Sequence, residues 1–184
     1  MPASRSFYGR LLDGLIQGAA VLAALCILSI CVLMVSMSLS REFGMNLRGA
    51  DDLIAWLCAA SAFLILGQTF QHGGIVRVEI FLGNLDPQWR KRLEIICLMV
   101  MCIFCLFALS AFSLFVFQSW DFNDVSQGQI IVPLWIPQIF TAIGCLIFFL
   151  AVLDELLRVL KGSKPRYQQM AEERLSAGDF GETL

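Results

Sequence analysis

The sequence predicts an all-α integral membrane protein: four transmembrane helices, a short interfacial helix in the second loop, and both termini in the cytoplasm. Three observations lead there. First, Gly14–Ser40, Leu53–Val76, Ile95–Trp120 and Val125–Leu153 contain no charged residue. Each exceeds the ~20 apolar residues that a helix rising ~1.5 Å per residue needs to cross a ~30 Å hydrocarbon core. Second, the chain is 58% hydrophobic and only 15% charged, whereas a soluble domain is roughly 25% charged. The candidate helices are apolar almost all round, without the polar face of a soluble bundle. Third, the basic residues are unevenly distributed. Arg5 and Arg10 precede the first span, Arg77, Arg90, Lys91 and Arg92 occupy the second loop, and Arg158, Lys161, Lys164, Arg166 and Arg174 follow the fourth span. Only Arg41 and Arg48 fall on the opposite side. Cytoplasmic loops collect Lys and Arg, and an even number of spans returns the chain to its starting side, so both ends are placed inside.

The first span is expected at about 14–40. Its apolar run is about twice a signal-peptide h-region in length, and Arg41 closes it without a small-residue cleavage site, so it is read as a retained helix. The outer loop Arg41–Asp52 is compact, with Gly44 and Gly49 as its pliable points. Asp51 and Asp52 stand at the start of the second span, about 53–72, where carboxylates meet unpaired helix N–H groups. Gly73-Gly74 breaks that span. Ile75, Val78, Phe81, Leu82 and Leu85 then recur near helical spacing, which predicts an interfacial helix at about 75–85. Asp86-Pro87 is a helix-start signal, with Asp as N-cap and Pro at the first helical position. It opens the third span, about 87–120, anchored at the headgroups by Trp89 and Arg90-Lys91-Arg92. Asp121–Val132 forms the outer connection, flanked by Trp120 and Trp135 as interfacial anchors. Pro133 and Pro137 place the fourth span at about 133–160. This helix is expected to run past the membrane through Asp154, Glu155 and Arg158, and Gly162-Ser163-Lys164-Pro165 ends it. Residues 1–162 thus form one membrane domain and 163–184 a polar cytoplasmic tail.

Little in the chain suggests chemistry. Ionisable residues inside spans are the default functional signal in membranes. Here Gln17, Gln68 and Gln138 are the most polar groups within or near them. The single histidine, His72, sits at the inner end of span two, where solvation is the simpler role than haem ligation. All seven cysteines fall inside the spans, as small buried hydrophobes do. Cys102 and Cys105 form a Cys-x-x-Cys, but no neighbouring cation in sequence would stabilise a thiolate. No catalytic, cofactor-binding or metal-binding residue is therefore assigned, and no nucleic-acid partner. What remains is a four-span inner-membrane subunit with no autonomous chemistry, of the kind that serves a larger partner.

The motifs in order carry a resemblance. Gly49-Ala50-Asp51-Asp52-Leu53 opens span two, Gly73-Gly74-Ile75-Val76-Arg77-Val78-Glu79 follows it, and Asp86-Pro87 opens span three. Ile131-Val132-Pro133-Leu134-Trp135-Ile136-Pro137 and Gly144 mark span four. Together, over roughly residues 10–162, these resemble the small membrane subunit of TRAP (tripartite ATP-independent periplasmic) transporters, the Q-type or dicarboxylate-carrier small permease family. Members carry a stretch like Arg-x-Gly-x-His-Ile-Arg-Val-Asp. Gln71 and Ile75 stand in place of its Arg and His, His72 is displaced, and Glu79 replaces the Asp, while Arg77 matches.

The resemblance implies a large multi-span permease subunit that holds the substrate and sodium sites, and a periplasmic solute-binding protein that delivers an organic acid, commonly a carboxylate. The small subunit would brace the first and help dock the second. Arg41, Asp51, Asp52 and Asp121 are outer docking candidates. Arg77, Glu79 and Trp89 are inner anchors, and Trp135 is an outer one. Two other classes stay open: a membrane thiol/quinone redox protein using Cys102 and Cys105, and a stand-alone four-span scaffold.

Overall fold

The computed structural model describes residues 7–45, 47–72 and 87–162. Four helices account for most of them: α1 (Phe7–Glu42), α2 (Ala50–Gln71), α3 (Pro87–Asp121) and α4 (Trp135–Leu160). All four are long and apolar enough to cross a membrane. Among the described residues there is no strand, only an isolated antiparallel bridge between Val125 and Pro133. The expected interfacial helix at 75–85, the Asp86 cap and the 163–184 tail lie outside the described residues.

The helices stand in an open row, α1–α2–α4–α3, rather than in a closed square. α2 packs against α1 and α4, α4 against α2 and α3, and α1 barely reaches α4. Burial follows this order. In the most apolar window of each helix, 33% of α4 and 28% of α2 is buried, but only 11% of α1 and of α3.

The spacing of buried residues explains the row. On α1 the inward positions are Leu12, Ile16, Ala19 and Ala23, continued by half-buried Cys26, Ile30, Leu33, Met37 and Ser40. Steps of four and three alternate, which makes one seam of period 3.5 on one side of the helix. α3 has a single seam too: Leu98, Cys102, Cys105, Leu109, Phe112, Val116 and Ser119. α4 instead carries two. Gly144, Ile147 and Ala151 form one, and Thr141, Cys145, Phe148, Val152, Glu155 and Val159 the other. A helix with two seams needs two neighbours, and a helix with one seam ends the row.

Lipid tails are as apolar as leucine, so association inside a membrane depends on close packing, and small residues permit it. Gly144 provides the closest approach: a Cβ there would stand 2.6 Å from the Phe63 carbonyl carbon and 2.8 Å from the Leu64 nitrogen. Gly67 is the junction of three helices, where a Cβ would meet Ile147 of α4 at 3.3 Å and Ile16 of α1 at 3.7 Å. Edge-to-face rings fill the remaining gaps, Phe70 against Phe148 at 5.9 Å and Phe63 against Phe112 at 5.1 Å.

The core is off-centre. Leu12, Ile16, Ala19, Ala23, Leu64, Phe70, Leu98, Cys105, Ile147, Ala151, Val152, Leu156 and Val159 form one cluster. It runs from the middle of the helices to the end where α1 starts and α4 stops. Beyond Ala23, α1 is at best half-buried. The opposite end, which carries the α1–α2 and α3–α4 loops, is held by other means.

Local details refine the sequence expectation. The N-cap of α2 is Gly49, at φ 86°, so no side chain caps the helix, and Asp51 and Asp52 lie in its first turn. α4 begins at Trp135, because Pro133 is held in the bridge to Val125 and Leu134 serves as N-cap. Glu155, in the stretch expected to run past the membrane, is only 4% exposed, because position 155 falls on an α4 seam. It is engaged there, as are Asp13 and Glu94 at their own positions. The α4 stop is as expected: Gly162 takes φ 79° and donates its N–H to the Val159 carbonyl, a glycine-terminated helix end.

Candidate functional site

The loop end is built around Asp52. The α3–α4 connection folds as a narrow hairpin: Ser126 N donates to the Val132 carbonyl at 2.9 Å and Leu134 N to the Asp124 carbonyl at 3.0 Å. Pro133 fits beside this ladder because no hydrogen bond is asked of its nitrogen. At the hairpin tip, Gln129 N and Ile130 N both donate to Asp52 Oδ2, at 2.9 and 3.4 Å. A carboxylate accepting from successive backbone N–H groups is a charge-assisted clamp. Gly128 makes room for it, since a Cβ there would collide with the Asp52 carboxylate, and Gly49 likewise faces Ile130. The start of α2 and the tip of the α3–α4 loop are therefore one unit.

Beside this unit lies a cleft of about 390 Å³, lined by Arg41, Gly44, Met45, Leu47, Arg48, Gly49, Asp51 and Gln129. Arg41 stands in the last turn of α1, where a cation meets the helix C-terminal dipole favourably. Gly44 and Gly49, at φ 69° and 86°, let the short loop turn back to α2.

The structure thus brings Arg41, Asp51 and Asp52 together. Asp121, exposed at the last residue of α3, and half-buried Trp135 lie at the same end, where Trp135 packs edge-on against Trp120 with centroids 4.9 Å apart. Trp89 is remote, at the opposite end of α3 and 57% exposed, with the Arg92 guanidinium 5.4 Å from its ring. Arg77 and Glu79 lie outside the described residues. Sequence reasoning missed the hairpin tip, Gly128, Gln129 and Ile130. A signal existed: Gly128 in a short polar turn followed by Ile130, Ile131 and Val132, a β-branched run.

The flanks of α1 and α3 are largely apolar. On α1, Leu25, Leu28, Val32, Val35 and Leu39 are all more than half exposed, and on α3 so are Val100, Ile103, Phe104 and Phe107. A family model described as "Tripartite ATP-independent periplasmic transporters, DctQ component" matches residues 14–162. The chain belongs to this family. No curated protein and no solved structure matches it. As the small component of a TRAP transporter it is a multi-pass membrane protein of a transport system, in a family that is not one of enzymes and that works with a large permease subunit and a solute-binding protein.

The cysteines of this TRAP component follow the packing. Cys105 and Cys145 are buried at 2% and 3% and lie near each other across the α3–α4 contact, and Cys102 is half-buried on the same seam. Cys31, Cys58 and Cys97 are exposed on the apolar surface. A small maleimide that partitions into mild detergent is expected to label these three on the folded subunit and to leave Cys105 and Cys145 unlabelled until denaturant is added. Peptide mass mapping reads the result. Rapid labelling of both Cys102 and Cys105, followed by their pairing under an added quinone, would revive the thiol redox alternative.

Proposed function

We propose that this chain braces the large transport subunit of a TRAP transporter that takes up organic acids, carboxylates in particular, and that its loop end helps to dock the periplasmic solute-binding protein. One observation carries the bracing role. A row with single-seam helices at both edges leaves two broad apolar flanks, and one of them can pack on a partner while the other meets lipid. Such a wall widens the static part of a transporter, against which a moving domain can work.

Docking is supported by the hydrogen bonds that join the start of α2 to the α3–α4 hairpin at the loop end. Asp52 ties two loops into one platform, and Arg41, Asp51 and Asp121 present charge of both signs from it. Opposed charge patterns steer encounter and fix register between partners. The distribution of Lys and Arg argues for this end in the periplasm, with both termini in the cytoplasm and the chain in the bacterial inner membrane. Trp89, with Arg77 and Glu79, then serves as an inner anchor. Translocation and sodium coupling belong to the large subunit, and this chain needs no cofactor.

Expressed together, the chain and the large subunit are expected to co-purify in mild detergent. Deleting the chain should abolish uptake while the large subunit remains in the membrane. Sodium-driven uptake by vesicles holding only the large subunit and the binding protein would refute an obligatory brace. A free-standing scaffold, the remaining alternative, would purify without the large subunit.

A further inference from the structure

The cleft beside Asp52 has a feature that bracing does not use. Two of its walls are guanidinium groups, Arg41 and Arg48, both exposed. Among the described residues neither has an ion-pair or hydrogen-bond partner. Asp51 is the single carboxylate among the lining residues, against two guanidinium groups, and the neighbouring Asp52 carboxylate is taken up by the hairpin amides. The loop around it exposes large apolar side chains: Phe43 at 76%, Met45 at 63% and Leu47 at 42%. All of this sits where two membrane-crossing helices end. From here the half-buried outer stretch of α1 leaves Leu39, Val35 and Val32 open along the bilayer.

A monoanionic phosphate diester with two acyl chains matches each part. Guanidinium forks bind phosphate oxygens in pairs. Asp51 and Gln129 can accept hydrogen bonds from a headgroup hydroxyl or ammonium. Phe43, Met45 and Leu47 suit the glycerol and upper-chain level, and the open side of α1 suits the chains below. A soluble acidic protein would use the arginines but would leave three exposed apolar side chains in water beside them. We infer that the α1–α2 loop is a binding site for one phospholipid of the leaflet at the loop end, with its phosphodiester held between Arg41 and Arg48. The lipid would fasten the half-buried outer half of α1 to α2, where this chain's own core does not reach. The inference rests on the membrane orientation of the helices and stands apart from the bracing role; a lipid seated there takes Arg41 and Asp51 and leaves Asp121 and the Asp52-held hairpin as the docking part of the loop end.

The test uses the full chain purified with its large subunit, stripped of lipid by detergent washing and titrated with phosphatidylglycerol under native mass spectrometry. One lipid is expected to remain bound at this site. An Arg41→Gln/Arg48→Gln variant should weaken its retention by about tenfold or more, the scale of losing two charge-assisted contacts. Arg41→Lys/Arg48→Lys should fall between. A Lys91→Gln/Lys161→Gln control, at the opposite end, should leave this lipid in place. Equal retention by the Gln variant and the parent overturns the proposal. So does displacement of the lipid by inorganic phosphate at equal concentration, which marks a free-anion site. Unchanged lipid retention with loss of solute-binding-protein capture would also overturn it, by assigning the arginines to a protein interface.

Discussion

A Gly144→Leu chain is expected to lose its folded form in mild detergent, whereas Gly18→Leu keeps it. Both glycines lie in apolar stretches and look alike in the sequence. Their surroundings differ: a Cβ at Gly18 would meet nothing within 4 Å, while one at Gly144 would press on the backbone of Phe63 and Leu64. Backbone cannot rotate away as a side chain can, so α2 and α4 must separate. Overpacking a filled interface costs about 1–3 kcal/mol, and occasionally more. The cost should sit at the upper end here, because α2 and α4 are the two central helices and every other helix packs on one of them. Gly144→Ala should be intermediate. Thermal unfolding followed by tryptophan fluorescence or by loss of the monodisperse peak measures the order Gly18→Leu, Gly144→Ala, Gly144→Leu. Equal midpoints for Gly18→Leu and Gly144→Leu would show that the α2–α4 contact is not the close one.

The second large effect is expected at Asp52, and it is local. Asp52→Ala removes the acceptor for Gln129 N and Ile130 N. Hydrogen bonds to a charged group contribute about 1.5–3 kcal/mol, so amide exchange across residues 126–132 should accelerate about tenfold or more, by ordinary opening equilibria. Exchange in the core around Leu64 and Val152 should barely change, because that core lies away from the loop end. Asp52→Asn keeps one acceptor oxygen and should lose less. Gly128→Ala is expected to reproduce the Asp52→Ala effect, since a Cβ displaces the carboxylate. Once Asp52 is already alanine, Gly128→Ala should add little, the signature of two residues in one interaction. Hydrogen exchange with mass readout tests this. If the platform docks the binding protein, these variants should lower uptake in the assembled transporter without lowering the amount of complex. Additive exchange effects in the double variant would break the link between Asp52 and the hairpin.

The helices were legible beforehand for a simple reason. A helix in lipid must be apolar along its whole length, so charge-free runs mark it whatever it packs against. The same uniformity hides the packing. Leu25 and Ile147 are equally apolar, yet one is 54% exposed and the other 8%. In a soluble helix the polar face would have told them apart. The site was half legible. Asp52 stood out as a carboxylate at a helix start, but its position suggested a bond to its own helix rather than to a loop 77 residues away. Gln129 and Ile130 act through backbone N–H groups, which every residue but proline has, so their side chains gave no hint. The charge of Glu155 suggests water, and only its place on a period-3.5 seam accounts for its burial.

Composition and local spacing alone were enough to predict four bilayer-length helices, and the ordered motifs carried the resemblance to the TRAP small component. Those properties do not depend on which neighbours a residue meets in space. The open order α1–α2–α4–α3, the exposed flanks and the clasp of Asp52 on the α3–α4 hairpin emerged only from the packed molecule, because each depends on which surfaces touch. Among equally oily helices that choice is made by a glycine's missing Cβ and by a carboxylate within reach of two distant amides.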